Sequence, residues 1–310
     1  MNLLKLPAYI RGFKEYFNQK LAPRIFRLYY YTKAEHLESI LRTGNLKVTQ
    51  LGHSNDPFEY RPVFKDAEEE SKWELLMPTM APCTVCLSAR MSSPVMWGHY
   101  AEHGAGICLV FDLPLCTIRE DLKQQYANDD NYKVYLCQSR EGKTFFLHEV
   151  VYTDERLRLN KVRDYLQSQT KRVSNFFKFF ATKSTDWSYE KEFRVQVHED
   201  DLHAEKGLLF TNILKEYLTG IILGHQCTYS YTYVKTLLKE TNNEAIRVSK
   251  AKLSPTHYKI SAMSMDFVLF EDSSIEDLHA FYYKKGITWE GSLIKLKYDL
   301  WCQYLQENKL

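Results

Sequence analysis

At 310 residues the chain is long enough for one large domain or two small ones, and a sizeable core is within reach either way. Hydrophobic content of 45% and charged content of 26% are those of an ordinary soluble protein, and 41 Lys and Arg against 39 Asp and Glu leave a net charge of +2. That balance argues neither for nor against nucleic acid, since a local basic patch can hide in it. What the sequence does exclude is a membrane-spanning helix, because no apolar run reaches the roughly 18 residues one needs.

The chain starts with "MNLLKLPAYIRGFKEYFNQKL", whose apolar stripe at Leu6, Tyr9, Ile10, Phe13, Phe17 and Leu21 has helical spacing and is interrupted too often by charge for a secretory core. "RIFRLYYYT" follows as a strand. Next comes a helix with Leu37, Ile40 and Leu41 on one face and Gly44 as its cap. "LGHSNDPFEYRP" is a loop with an Asp-Pro turn, and residues 58–76 read as a charged helix. "CTVCLSA" is a strand. "SSPVMWGHYAEHGAG" is a short helix with Ser93 as cap and Pro94 in its first turn, closed by Gly104 and Gly106 before the buried strand "ICLVFD". "YKVYLC" and "FFLHEVVYT" predict two further strands, and residues 154–180 one long helix. "DWSYEKEFRVQV", "GIILG" and "HYKISAMSMDFVLF" complete the strands, and two amphipathic helices close the chain beyond residue 273. Strands and helices mix without a βαβ alternation, so the expected class is α+β, a mixed β core with helical N- and C-terminal additions. The expected division is an N-terminal helix at 1–25, a core at 26–272 and a helical extension at 273–310.

The seven cysteines are odd in number and sit mostly in apolar runs, which points to a reduced, cytoplasmic protein. The 22 tyrosines suit half-wet surfaces such as clefts and interfaces, and equally a compositional habit of the source genome. Cys83, Cys86, His99 and His103 match the C-x2-C-x12-H-x3-H spacing of a classical zinc finger. Arg90 stands near where the finger's core aromatic belongs, and the segment runs straight into "ICLVFD", so no metal is expected in the main reading. Neither a glycine-rich phosphate loop nor a G-x-S-x-G elbow occurs. "SNDPFE" gathers Asn55, Asp56 and Glu59, either as a capping turn or as a loop contacting substrate. "MWGHYAEHG" puts Trp97, His99, Tyr100 and His103 on one short helix, either as core and solvated histidines or as the wall of an aromatic cleft. In "DWSYEKEFRVQV", read as a strand, Glu190, Glu192, Arg194 and Gln196 share a face. That face is either a self-neutralising polar surface or an active site.

"SNDPFE", "CLSARMSSPVMWGHYAEHGAGICLVFD", "VVYT", "DWSYEKEFRV" and "IILG", in that order, resemble a bacterial family of unknown function, number 2971, over roughly residues 26–250. The order "RLYYYTKAEHLESILRTGNL", "CLSARMSSPVMW", "YEKEFRV" is also similar to ADP-ribosyltransferases, especially DNA-modifying toxins of toxin–antitoxin systems. That second resemblance implies an ADP-ribosyltransferase-like fold and NAD as substrate, with no metal. It implies Glu192 as the catalytic glutamate, Glu190 as the residue steering the acceptor, and Ser88 as the second-strand serine. The first strand departs from that pattern, offering Tyr29, Tyr30 and Tyr31 with Arg27 two residues ahead of Tyr29, so Arg27 and Tyr30 stand as candidate NAD anchors. Trp97, His99 and Tyr100 would stack on or hydrogen-bond the nicotinamide, and Arg194 would keep the carboxylate ionised. The implied setting is a toxin or phage-defence effector with a DNA, RNA or protein acceptor. The C-terminal helices are available to a partner protein or antitoxin. Two alternatives stay open: a catalytically inactive binding or regulatory module of the same fold, and a zinc-dependent nucleic-acid binder.

Overall fold

The computed structural model describes residues 24–117, 132–138, 143–166 and 176–264. The expected N-terminal helix and the 273–310 extension lie outside the described residues. The chain divides into two compact units, Met1–Ala262 and Met263–Leu310, and nearly all described residues belong to the first.

Among the described residues the strands are β1 (Arg24–Thr32), β2 (Leu46–Gln50), β3 (Cys83–Ser88), β4 (Ile107–Thr117), β5 (Val134–Gln138), β6 (Thr144–Glu149), β7 (Val151–Thr153), β8 (Thr182–Ser184), β9 (Glu192–Val197), β10 (His203–Glu205), β11 (Leu208–Thr211), β12 (Leu218–Leu223), β13 (Arg247–Leu253) and β14 (Ile260–Ser264). The helices are α1 (Leu37–Thr43), α2 (Ala67–Met80), α3 (Pro94–Tyr100), α4 (Val162–Leu166) and α5 (Tyr231–Glu240), with residues 176–180 also helical. The class is α+β. One large mixed sheet runs in the order β10-β11-β2-β3-β9-β6-β5-β4-β12-β13-β14, and β1 pairs with both β3 and β4. From β10 to β12, and at β1, its pairings are antiparallel; β12 with β13 is parallel, and β7 and β8 form a separate parallel ribbon.

Because β1 bonds to β3 on one side and β4 on the other, β1-β3-β9-β6-β5-β4 forms a closed circuit of six strands. Closure removes edges that would otherwise be open to mispairing. Phe26, Tyr135 and Phe193 come from strands that are not neighbours in this circuit. Their rings nevertheless meet, at centroid distances of 5.6 Å, 5.7 Å and 6.4 Å, so they fill the space it encloses.

Two local features agree with the sequence reading. Gly44 caps α1 in the left-handed conformation (φ 80°), and Ser93 accepts from the Met96 backbone N–H with Pro94 in the first turn of α3. Gly106 is required by proximity: a Cβ there would lie 2.4 Å from the Thr32 carbonyl oxygen and 2.9 Å from Ala101 backbone.

The structure adds β2, β10, β11, β13 and α5, which the sequence reading did not predict, and departs from expectation in four further places. The charged helix expected from residue 58 starts only at Ala67, capped by Asp66, because Asp-Pro and Arg-Pro hold residues 56–62 in turns. The helix expected over 154–180 is not continuous, since residues 154–161 are irregular. "FFLHEVVYT" splits at Val150 into β6 in the large sheet and β7 in the ribbon. "DWSYEKEFRVQV" begins as a 3-10 turn, Thr185–Glu190, and becomes a strand only at Glu192. Between them Lys191 adopts φ 46° and ψ 53°, a left-handed conformation uncommon outside glycine, which turns the chain onto β9.

Beneath the site, Tyr60, Trp73, Tyr165 and Phe179 form a buried aromatic cluster. Trp73 Nε1 donates to the Tyr60 carbonyl at 3.1 Å, and the Tyr60 and Tyr165 hydroxyls are 2.7 Å apart. This ties α2, α4 and residues 176–180 into one block and fixes Tyr60, hence its neighbour Glu59.

Candidate active site

The register of β3 on β9 pairs Thr84 with Gln196, Cys86 with Arg194 and Ser88 with Glu192. Directly opposite residues share a face, so these six side chains stand together while Val85, Leu87, Phe193 and Val195 face the other way. The single β1–β3 pair, Tyr29 with Ser88, extends the row to Tyr29–Ser88–Glu192 across three strands. β1 follows β4 for nine residue pairs but meets β3 only there. The two strands therefore diverge, and a cleft opens between them.

Glu190 lies off the strand, yet two contacts return it to this face. The Ser88 hydroxyl donates to the Glu190 carbonyl oxygen at 2.5 Å, and Lys183 Nζ donates to Glu190 Oε2 at 2.6 Å. Lys183 is set by the β7–β8 ribbon, opposite Tyr152, whose hydroxyl accepts from the Glu192 backbone N–H at 2.8 Å. The same ammonium reaches Glu192 Oε2 at 3.2 Å and Glu59 Oε1 at 3.8 Å, and sits 4.8 Å from the Trp187 ring centroid. Arg194 grips Glu192 through Nε (2.8 Å) and Nη2 (3.1 Å), donates Nη1 to the Phe180 carbonyl at 2.6 Å, and contacts Glu59. The Tyr100 hydroxyl donates to Glu190 Oε1 and accepts from Asn55 Nδ2 at 2.6 Å.

These five ionisable side chains, Glu59, Lys183, Glu190, Glu192 and Arg194, are each 6% exposed or less. Carboxylates outnumber cations here, the more so because Asp56 is also buried and acts on Arg194, and each unbalanced buried charge is costly. The consequence is visible in Glu192, raised from 4.5 to about 6, first by burial and then by Glu190, against the pull of Lys183. Burial opposes the charge on Lys183, but Glu192 and Glu190 outweigh it and hold the ammonium above its ordinary range. Burial also draws Arg194 down to about 9, still fully charged at neutral pH. The Cys86 thiol beside Glu192 is pushed well up, chiefly by burial, and is a poor nucleophile.

The cleft holds about 370 Å³ and is bounded by the three tyrosines of β1, the loop carrying Asn55 and Glu59, Met96 and Tyr100 of α3, and Ser88, Glu190, Glu192 and Lys183. Of the residues singled out in the sequence, Glu190, Glu192, Ser88, Tyr30, Tyr100, Asn55 and Glu59 therefore meet on one cleft. Five do not line it. Arg27 forms a two-pronged pair with Asp112, its partner across β4, at 2.8 Å. Trp97 is core, edge-on to Tyr31, with Nε1 donating to the Met91 carbonyl. His99 is exposed, with Nδ1 3.1 Å from the Tyr189 hydroxyl. Asp56 accepts from the Phe58 backbone N–H at 2.9 Å, which makes a turn and not a helix cap. Arg194 lies beneath the floor, holding Glu192 from behind. Lys183 was not singled out in the sequence. The only signal pointing to it was the charge count, since the expected face had more carboxylates than cations.

The zinc-finger spacing does not produce a ligand set. Residues three apart on a strand point to opposite faces, so Cys83 and Cys86 of β3 diverge. Among the described residues no group of three or more His, Cys, Asp or Glu is placed to hold a metal ion.

Residues 96–195 match the model of a family described as "Protein of unknown function (DUF2971)". The match begins at Met96 and ends at Val195, spanning both "MWGHYA" and "YEKEFRV", and it supports the resemblance to that family. No curated protein and no solved structure matches the chain. Among the described residues no helix is long and apolar enough to cross a membrane.

Proposed function

We propose that the chain is an NAD-dependent ADP-ribosyltransferase that takes NAD as substrate and transfers ADP-ribose to a nucleic-acid or protein acceptor. The observation that carries this reading is the row Tyr29–Ser88–Glu192 on the adjacent strands β1, β3 and β9, with the cleft beside it. In the resemblance, these are the strands of the anchor, the serine and the catalytic glutamate. Their adjacency supports an ADP-ribosyltransferase-like core.

The cleft's size and charge suit one half of the substrate. At about 370 Å³ it is near the small end of ligand sites, which run roughly 300–1,000 Å³, so it fits a ring and its ribose better than a whole dinucleotide. Its inner end is lined by Glu59, Glu190 and Glu192 with Lys183 among them, and tyrosine rings bound it. A flat cationic ring such as nicotinamide answers both properties. In this reading Glu192 accepts hydrogen bonds from the ribose hydroxyls and stabilises positive charge at C1′. The C1′–N bond breaks there and its electron pair leaves on the ring nitrogen. Glu190 takes the acceptor's proton as the acceptor bonds to C1′. The biological setting that goes with this chemistry is a cytoplasmic toxin or phage-defence effector, with residues 273–310 available to an antitoxin or other partner protein.

The test is to incubate the purified chain with NAD and with DNA, RNA or cell protein, following nicotinamide release and label transfer. Release by the wild type and its loss in a folded Glu192→Gln variant is the expected result. No NAD binding and no release with any acceptor class would sink the proposal.

A second reading, a catalytically inactive binding module of the same fold, draws on a different observation. Both glutamates are already engaged by Lys183, Arg194 and Tyr100, and Arg27 is occupied by Asp112. Under that reading Glu192→Gln alters the melting temperature and no turnover exists to lose.

A further inference from the structure

A second groove of about 590 Å³ adjoins the cleft, with Tyr29 and Glu192 common to both. It is flanked by two exposed cations, Arg90 and Lys191, and by Tyr152. Among the described residues the Arg90 guanidinium has no ion pair, and Lys191 contacts only the Tyr152 ring face, at 6.0 Å. Glu149, the other acid on the groove wall, is taken up by Lys133 at 3.3 Å.

The backbone beneath these cations is held firmly although their side chains are free. The Arg90 carbonyl accepts from the Tyr31 hydroxyl (2.8 Å), and the Arg90 N–H donates to Ser88 Oγ (3.0 Å), whose own proton goes to the Glu190 carbonyl. The Ala89 N–H donates to the Lys191 carbonyl at 2.9 Å, which sets the two cationic stretches side by side. Lys191 itself holds a left-handed conformation that a flexible surface residue would be expected to relax out of. Two unneutralised cations on a held backbone, at the mouth of a site whose inner end is negative, divide the whole depression into a cation-accepting end and an anion-accepting end.

We propose that this groove is a phosphate-binding subsite that takes the diphosphate of a dinucleotide whose cationic base and ribose occupy the adjoining cleft. Arg90 and Lys191 then supply the anchoring charge that Arg27, committed to Asp112, does not. The assignment of the diphosphate to a dinucleotide rests on the NAD reading, whereas the phosphate chemistry of the groove does not.

The experiment is calorimetric titration of the full chain with pyrophosphate, ADP-ribose and nicotinamide riboside. The variant is the double substitution Arg90→Ala with Lys191→Gly, the glycine keeping the left-handed backbone unstrained. Both sites are exposed, so an unchanged melting temperature is expected. The wild type should bind pyrophosphate and ADP-ribose with an affinity that falls as salt rises. The double variant should bind both about tenfold more weakly or worse, as expected for lost charge-assisted hydrogen bonds, and should bind nicotinamide riboside unchanged. Pyrophosphate binding that is absent from the wild type, or unaltered in the variant, overturns the subsite. If pyrophosphate binds and nicotinamide riboside does not, the NAD reading fails and the phosphate site stands. If a short single-stranded oligonucleotide displaces pyrophosphate and ADP-ribose does not, the dinucleotide assignment is overturned.

Discussion

Lys183→Met is the sharpest perturbation of the buried network. It keeps most of the side-chain volume while removing an ammonium that touches Glu190 at 2.6 Å and Glu192 at 3.2 Å. Taking one partner from a buried ion pair leaves an uncompensated charge and costs about 3–5 kcal/mol. Here the two carboxylates left behind also repel each other, so the upper part of that range is expected. In a unit of this size each kcal/mol moves the melting temperature by roughly 2–4 °C, which places the loss at about 10 °C or more. The pH dependence separates this mechanism from simple loss of packing. The folded value of Glu192 is raised from 4.5 to about 6, so its protonated form is favoured by folding. That contribution, about 2 kcal/mol, is fully present below the unfolded value and is lost as pH rises through about 6. Lys183 pulls Glu192 downward, so without it the folded value climbs and the loss deepens and extends to higher pH. The gap between thermal melts of wild type and variant should therefore be larger at about pH 8 than at about pH 5, where Glu192 is protonated in both. A gap below about 1 kcal/mol at the higher pH, or one of equal size at both, would refute the claim that Lys183 neutralises this site.

Glu192→Gln should lower nicotinamide release by about a hundredfold or more, the scale for losing one preorganised electrostatic contact, with wild-type release rising through about pH 6 as Glu192 ionises. A flat profile across that window would dissociate Glu192 from the chemistry. Tyr100→Phe removes the hydroxyl shared by Glu190 and Asn55 and should cost about 1–2 kcal/mol in urea unfolding, with the slope unchanged. A neutral result would mean that the hydroxyl does not hold Glu190. Gly106→Ala places a methyl 2.4 Å from the Thr32 carbonyl oxygen, which β1–β4 pairing keeps from moving, and should destabilise by about 2–3 kcal/mol. Tolerance of alanine in a melting experiment would show that this turn can yield.

Local chemistry made much of the site legible. The period of two in "EFRVQV" assigned Glu192, Arg194 and Gln196 to one face, and Ser93-Pro94 marked the start of α3. "SNDPFE" was legible only as a turn that either caps or meets a ligand. In the structure Asn55 and Glu59 reach the cleft while Asp56 shapes the turn. Some residues gave a wrong or absent local signal. Trp97 has the look of a stacking ring, and its place in the core was decided by Tyr31 from β1. Arg27 resembles an anchor until Asp112, 85 positions away, is found opposite it. The break at Val150 was not legible in "FFLHEVVYT", because it depends on which sheet each half joins.

By itself, the sequence determined part of the element list, such as β1, α1, β3, α3 and β4, and which way side chains alternate, since helix caps, proline turns and strand periodicity act over a few residues. It also determined that two carboxylates and a guanidinium would sit close together around residue 192. Only the tertiary structure decided that they are buried, that Lys183 stands between them, and that β1, β3 and β9 lie side by side around a cleft. The physical reason is range. The β1–β3–β9 register and the burial of Glu59, Glu190 and Glu192 arise from pairings between segments far apart in the chain. The charge balance that makes such burial tolerable can be completed by a residue from any of them.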